Sequence, residues 1–342
     1  MAPTLTDIPP PDIQKHLNTF RAYLDNPPDE RQRIPRKQLD RNFLIATWNI
    51  RAFGGLTSKW TSESGDSPKR DLYALHVIAE VVSRFDVVAI QEVKSELTAI
   101  QALLTLLGKH WGMIITDVTG GAAGNQERLA FLFDRRRVNP SGLACELVVP
   151  TDAKKPITLA AFERQFARTP YAVSFTADRS SFILVTLHVL WGDDPEDREP
   201  ELASIAEWLD EWAQYQHAFE DNLIVLGDFN IDRKQSANGE LNPLYRAFTS
   251  TGLMPPDDLN SAPRTIFGSG TNKYYDQIAW FTGGEGGEPR LSLDYNAGGY
   301  VDFLGAKSAY DEIEAPDEMT ARSFSWRVSD HFPLWTEFNL PA

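Results

Sequence analysis

Nine stretches of the chain are dense in apolar residues over seven or eight positions. They are FLIATWN (43–49), DVVAIQE (86–92), GMIITDV (112–118), RLAFLFD (128–134), YAVSFTA (171–177), SFILVTLH (181–188), NLIVLGD (222–228), DQIAWFT (276–282) and PLWTEFN (333–339). Each reads as a strand, and several are nearly continuous in apolar residues, as expected for strands buried on both faces. A different period appears between some of them. Leu72, Leu75, Ile78 and Val82 form one helical stripe; Leu97, Ile100, Leu104 and Leu107 a second; Leu202, Ile205, Leu209 and Trp212 a third. Strands outnumber helices, and helices fall between only some strands. This predicts an α/β (α+β) fold in four layers: two packed mixed β-sheets flanked by helices, rather than one doubly wound sheet. Gly-rich segments at 119–124 and 283–287 lack the strand–Gly–helix context of a phosphate loop and are expected to be plain loops. Residues 1–40 are polar and Pro-rich, with a weak helical pattern near 13–24. They read as an N-terminal extension packed on, or tethered to, a single unit spanning 41–342.

The polar residues that interrupt this pattern recur at strand ends. Asn49 closes the first strand and Glu92 the second; Glu127 precedes the fourth; His188 closes the sixth. In LIVLGDFNID, at 223–232, an apolar run ends in Asp228 and Asn230, which share a face if the strand continues. Two hard oxygen donors there suit a divalent cation and a phosphate oxygen. Asp276 opens the eighth strand, and Asp330 and His331 precede the last. Each has an ordinary explanation: Asn49 a turn, Glu92 the solvated start of a helix, His188 a satisfied core histidine, Asp228–Asn230 an Asx turn. Their repetition at strand ends that feed loops is what points to a site.

With 342 residues, 42% hydrophobic and 11% aromatic, the chain can bury a sizeable core, and nine Trp argue against disorder. The net charge is −15, with a pI near 4.9. That counts against a general nucleic-acid binder with a basic surface, but not against an enzyme of phosphate esters whose carboxylates hold a metal ion. Cys145 is the single cysteine, so no internal disulfide is possible. The first residues have no basic head or apolar stretch, and no run is long enough to cross a bilayer. A cytoplasmic protein is expected, a secreted one with its signal removed being the alternative.

In order along the chain, WNIRAFG, QEV, ERLAFLF, FARTPYAVSF, LHVLW, LGDFN, TNKYYDQI and SDHFP resemble the motifs of the endonuclease/exonuclease/phosphatase superfamily, and most closely its deoxyribonuclease I branch. The resemblance covers about residues 43–340. It implies the same sandwich with a site at one rim. It implies that Glu92, with Asn49, holds Mg²⁺ (Mn²⁺ or Ca²⁺ substituting or assisting), and that Asp228, Asn230 and Asp330 are further metal and phosphate ligands. His188 and His331 resemble the catalytic pair, oriented by Glu127 and Asp276 respectively. Arg168 resembles a phosphate-contacting arginine, and Arg51 a residue beside the nucleic-acid backbone. The chain departs from the branch at Asn125, where the secreted nuclease has a groove-wedging tyrosine, and in lacking the structural disulfide.

The chemistry independently wants these types. A phosphodiester repels hydroxide, so its charge must be neutralised; a hard cation on carboxylate and amide oxygens does this. Histidine, with an unperturbed pKa near ~6.5, moves the protons, and a carboxylate fixes its tautomer. The expected activity is metal-dependent cleavage of DNA, rather than RNA, by a non-specific endonuclease, without a membrane or obligate protein partner. A phosphomonoesterase or a lipid or small-molecule phosphodiesterase is the alternative. Less informative are His76, read as packing; Arg135 to Arg137, read as a solvated turn; Lys69, Arg70 and Lys273, in loops that could face substrate; and Trp191, either a base-stacking residue or a buried aromatic.

Overall fold

A computed structural model describes residues 4–5, 7–29, 32–119, 125–147, 168–192, 198–214, 222–236, 238–267, 273–282, 287–313 and 319–341. The Gly-rich stretches lie almost wholly outside these residues. The strands are β1 (Asn42–Phe53), β2 (Val87–Lys94), β3 (Trp111–Ile115), β4 (Glu127–Asp134), β5 (Asn139–Glu146), β6 (Tyr171–Ala177), β7 (Ser180–His188), β8 (Leu223–Ile231), β9 (Leu253–Met254), β10 (Tyr274–Phe281), β11 (Asp294–Tyr300) and β12 (Leu334–Asn339). The helices are α1 (Pro11–Asp25), α2 (Leu72–Val82), α3 (Thr98–Leu107), α4 (Glu199–Gln214), α5 (Pro243–Thr249), α6 (Leu304–Ile313) and α7 (Ala321–Ser325). One six-stranded sheet runs β11-β12-β1-β2-β4-β3, the other β5-β6-β7-β8-β10-β9. Both are mixed: β1–β2 and β7–β8 are parallel pairs inside otherwise antiparallel sheets.

All nine apolar runs are strands. The structure adds β5, β9 and β11. β5 and β11 end their sheets' outer edges or lie mostly in solvent, so they have no need of an apolar run.

Period-two alternation sorts the side chains into layers. On β1, Phe43 and Ile45 face the other sheet, while Leu44, Ala46, Trp48 and Ile50 face α1, α2 and α3. Phe43 stacks on Phe182 (ring centroids 5.0 Å apart) and on Phe338 (5.4 Å), joining the two sheets. Truncating such a residue to Ala costs about 3–5 kcal/mol. A third apolar cluster lies between the second sheet and α4 and α5. The layers are therefore helix, sheet, sheet and helix, as the periodicity predicts.

In α1, Ile13, Leu17, Phe20 and Leu24 recur at helical spacing and are buried against α2 and α6. Proline at its first position costs no hydrogen bond, since that N–H has no intrahelical partner.

Two arginines qualify the sequence reading. Residues 135–137 form a turn with Arg135 and Arg136 exposed, as expected, but the half-buried Arg137 points inward: its Nε donates to Asp86 Oδ1 (2.8 Å), and Asp86 Oδ2 in turn accepts from Leu44 N. Arg70 does not face a substrate. It is buried, and it donates to the carbonyls of Arg51 (2.6 Å), Ala52 (3.0 Å), Arg327 (3.1 Å) and Val328 (3.2 Å). It thereby ties the end of β1 to the segment leading into His331. Lys69 spends its ammonium on the carbonyls of Glu63 and Ser64. His76 packs its ring on Trp60.

Candidate active site

The layer between the sheets is apolar at one end and polar at the other. On β1 the inward face reads Phe43, Ile45, Thr47, Asn49; on β7 it reads Phe182, Leu184, Thr186, His188. Gln91 of β2 bridges the two sheets where the change begins, donating to Thr47 Oγ1 (3.1 Å) and Thr186 Oγ1 (2.9 Å). One step further along the strands, Asn49 Nδ2 donates across the gap to Asp228 Oδ2 (2.8 Å).

Strand register aligns the second sheet's contribution. His188 pairs with Asp228 across β7–β8, and Asp228 with Asp276 across β8–β10. Three chemically active side chains thus form one row. Gly227 makes the approach possible: at φ +142°, a Cβ on it would lie 2.1 Å from Leu187 O. Six described non-glycine residues have positive φ, and Ala52, Glu92 and Asn230 (46°, 60° and 51°) are among them. Such backbone costs of order 1–3 kcal/mol and clusters at functional sites. At Glu92 it coincides with a register shift between β1–β2 and β2–β4 pairs, so Glu92 sits on an irregular strand, not at the start of a helix. Asn230 N donates to Asp228 Oδ1 (2.9 Å), an Asx-type turn inside the strand, so the turn and the site coincide.

His331 reaches the row from the loop before β12. Its Nδ1 lies 2.6 Å from Asp276 Oδ2, and its Nε2 4.0 Å from Asp228 Oδ2. His188 is arranged likewise: Nδ1 lies 3.2 Å from Glu127 Oε2 and Nε2 3.7 Å from Asp228 Oδ2. Two imidazoles therefore turn their Nε2 atoms toward one carboxylate oxygen, each with a second carboxylate at its back. Arg168 Nε also meets Glu127 Oε2 (2.5 Å), while Glu127 Oε1 accepts from Lys94 Nζ (2.7 Å) and Asn125 Nδ2 (2.7 Å).

These contacts set the protonation states. Burial pushes the Glu127 carboxyl up, but His188, Arg168 and Lys94 outweigh it and hold it at about 2. Burial likewise opposes ionisation of Asp228, yet His331, His188 and the Asn49 amide keep it below the usual carboxylate range. Burial raises Asp276 to about 6, against the pull of His331. Burial disfavours the charged His331, but Asp276, Asp228 and Asp330 raise it well above 6.5.

The expected metal donors lie around the same rim. Parallel pairing of Asn49 with Gln91 sets Glu92 beside the end of β1, and Glu92 Oε2 accepts from Ala52 N (2.8 Å). Asn49 Oδ1 is buried without a hydrogen-bond partner, although the same amide's nitrogen is used. An orphaned buried amide oxygen near carboxylates fits a hard cation. Asp330 pairs with Arg51 Nη1 (3.2 Å), and Arg51 also bonds Ser325 Oγ (2.8 Å) and stacks under Trp326 (3.8 Å). Asn230 donates its Nδ2 to Val189 O (2.6 Å). Asp228, Asp276 and His331 each offer a ligand atom within 4.8 Å of one another, but His331 Nδ1 is already engaged by Asp276.

Sequence reasoning missed three contributors. Lys94 follows Glu92 by two residues in QEVKSE and neutralises Glu127. Ser329, in SDHFP, is buried; its hydroxyl donates to Asn49 O (2.6 Å) and accepts from Arg51 N (3.3 Å) and His331 N (3.1 Å). Arg198 is buried and donates to Asn230 O (2.7 Å). Lys94 closes β2 and could have been read as a strand-end residue, whereas Ser329 and Arg198 stand at no strand end and only tertiary packing brings them in. An open depression of about 510 Å³ flanks the site, lined among others by Gly54, Gly55, Lys94, Ser95 and Asn125. Among the described residues, no helix is long and apolar enough to cross a membrane.

Comparison with known proteins finds likeness in sequence and in fold. A profile of the endonuclease/exonuclease/phosphatase family matches residues 46–303. A deoxyribonuclease of Thioalkalivibrio sp. is 26% identical over 192 residues, which make up 55% of this chain and 46% of that protein. The chain thus spans about half the length of that relative. Bovine deoxyribonuclease-1 is 26% identical over 307 residues, covering 87% of this chain and 92% of the bovine one. Among solved structures, a mannosyl-6-phosphatase of Bacteroides thetaiotaomicron superposes with a TM-score of 0.55 at 17% identity, covering 86% of this chain and 99% of the other. That last likeness concerns the fold.

Proposed function

Because the chain belongs to the endonuclease/exonuclease/phosphatase family, in its deoxyribonuclease I-like branch, we propose that it is a divalent-metal-dependent phosphodiesterase that cuts DNA, as a non-specific endonuclease. The observation that carries the reading is the convergence of His188 and His331 on Asp228 Oδ2, with Asn49 beside it and Glu92 at the same rim. In this reading, residues 41–342 are the catalytic unit and residues 1–40 an extension held on it by α1.

Glu92 and Asn49 would hold the cation, with Asp228, Asn230 and Asp330 as further oxygen donors. When bound, Mg²⁺ supplies positive charge against the phosphoryl oxygens. The chain's own residues do the rest. Asp276 holds the His331 ring by Nδ1, and Glu127 stands at Nδ1 of His188. Each histidine therefore offers Nε2 to the reacting phosphoryl group, one to move a proton at the attacking water and one at the departing oxygen. Asp228 lies between the two Nε2 atoms and stabilises an imidazolium on either. Arg168, fixed to Glu127, and Arg51, at the Asp330 side, supply cations for the substrate backbone. The depression beside Lys94 lies open, which suits a polymer passing over the rim more than a small ester enclosed in a pocket.

The test is a substrate panel with Mg²⁺: plasmid, single-stranded DNA, RNA, a phosphoinositide and a generic phosphomonoester. Nicked and linear plasmid is expected, abolished by EDTA and restored by Mg²⁺ or Mn²⁺. Hydrolysis confined to the monoester or the phosphoinositide would remove DNA from the reading, and undiminished cleavage in chelator would remove the metal.

A further inference from the structure

Trp191 lies three residues beyond His188 and keeps half of its surface (51%) in solvent. Trp is enriched at binding interfaces, where one part of the indole is packed and another is wet. This one is held in place from behind. The Arg198 guanidinium lies 4.3 Å from the indole centroid and also donates to Trp191 O. Arg198 is itself buried, bonded to Asn230 O (2.7 Å) and paired with Asp232 (3.2 Å). A single buried cation therefore anchors the exposed indole to β8, the strand of Asp228. On its flank, the Tyr275 ring meets the indole at 5.5 Å and 65°, and Tyr275 in turn lies 5.7 Å from the His331 ring. Lys273 Nζ stands 5.1 Å from the Tyr275 centroid, 3.7 Å from Asp232 Oδ1 and still 40% exposed. The site rim thus carries a partly exposed aromatic shelf that runs to His331, with a cation beside it.

We propose that Trp191, with Tyr275 beside it, is a stacking platform for an unpaired nucleobase of the nucleotide flanking the scissile phosphodiester, and that it sets a preference for single-stranded or frayed DNA. The inference rests on the phosphodiesterase reading above. An aromatic face is the partner for an unstacked base, while a cation alongside suits the neighbouring phosphate. In an intact duplex the bases are stacked on one another and cannot use the shelf.

The test compares a short single-stranded oligonucleotide with one of the same backbone in which abasic residues flank the cleavable bond. For the wild-type protein with Mg²⁺, kcat/KM is expected to fall roughly five- to hundredfold when the bases are removed, the range for losing one base–aromatic stack. In W191A the same removal should cost under about twofold, and W191F should keep most of the wild-type ratio. Equal ratios in wild type and W191A overturn the platform. Because the wild-type comparison needs no variant, a misfolded W191A cannot hide the answer: a wild-type ratio near one overturns the proposal by itself. Anisotropy of labelled oligonucleotides in EDTA separates the two readings. Weaker binding of the abasic strand by the wild-type protein supports the platform even if no cleavage occurs. Equal binding of both strands, with cleavage intact, sinks the platform and leaves the phosphodiesterase standing.

Discussion

Asp276 and Glu127 both stand at Nδ1 of a histidine, yet they keep different company. Asp276 is buried, lies 2.6 Å from His331, and has no cation in an ion pair with it other than that imidazole among the described residues. Glu127 is equally buried but shares its charge among Lys94 (2.7 Å), Arg168 (2.5 Å) and His188 (3.2 Å). The same motif, a carboxylate behind an imidazole, is therefore built in two electrostatic settings. In one, the carboxylate's charge is directed at its histidine, and burial lifts Asp276 to about 6. In the other, it is spread over three partners, and Glu127 drops to about 2. The lesson is that a carboxylate's effect on its histidine depends on what else it must neutralise.

The largest expected effect treats the two pairs alike. H188A and H331A should each lower kcat by about 10²–10⁴-fold, with the native fold retained by circular dichroism. The double variant should lose far less than the product of the single losses, because groups that act as a unit are not additive. Near-normal turnover in either single variant would remove that histidine from the chemistry.

A smaller effect separates the pairs. D276N should cost about 10²-fold or more in kcat, since an amide cannot hold the same tautomer or support the charged ring. E127Q should cost about tenfold in kcat, because Lys94 and Arg168 still occupy its surroundings. E127Q should destabilise the fold more, by about 3–5 kcal/mol for leaving buried partners unpaired. Steady-state kinetics and denaturant unfolding measured on the two variants check this; indistinguishable profiles would erase the contrast.

The smallest effect is in stability against pH, measured with chelator present. Glu127 lies at about 2 in the fold against an ordinary 4.5, so its contribution is present above pH 4.5 and is lost as pH falls toward 2. By linkage it is on the order of 3 kcal/mol. His331 is raised above 6.5, so the charged ring contributes fully below pH 6.5 and its contribution is lost as pH rises through the folded value. Asp276, raised from 3.8 to about 6, has the same sign and weakens the fold as it ionises. Chemical denaturation across pH should therefore show E127Q flattening the loss below pH 4.5, and D276N removing the decline that Asp276 adds between pH 3.8 and about 6 and weakening the one that His331 adds above 6.5. Swapped effects would mean that the two settings are misassigned.

How much of this was legible from residues alone varies by feature. The apolar runs mark strands because a strand buried on both faces must be apolar nearly throughout, whereas β5 and β11 leave no such trace because solvent covers them. The resemblance motifs named both histidines and their carboxylates, and the structure brings His188, His331, Glu127, Asp276, Asp228 and Asn49 together. Arg70 misled, since an arginine in a loop sequence looks the same whether it meets water or a ring of carbonyls; in the 135–137 turn only Arg137 turns inward, to Asp86. Trp191 was ambiguous for the same reason.

By itself, the sequence determined the layers, the strand faces and the chemical types at the strand ends, because these follow from a local period of two and from where apolar runs stop. Tertiary structure alone decided the register that lines up His188, Asp228 and Asp276, the crossing of Asn49 between sheets, and the sharing of Glu127 among Lys94, Arg168 and His188. Those depend on which strands neighbour one another and on how deeply each charge is buried. Pairing and burial are properties of distant segments brought together, and no local pattern in the chain encodes them.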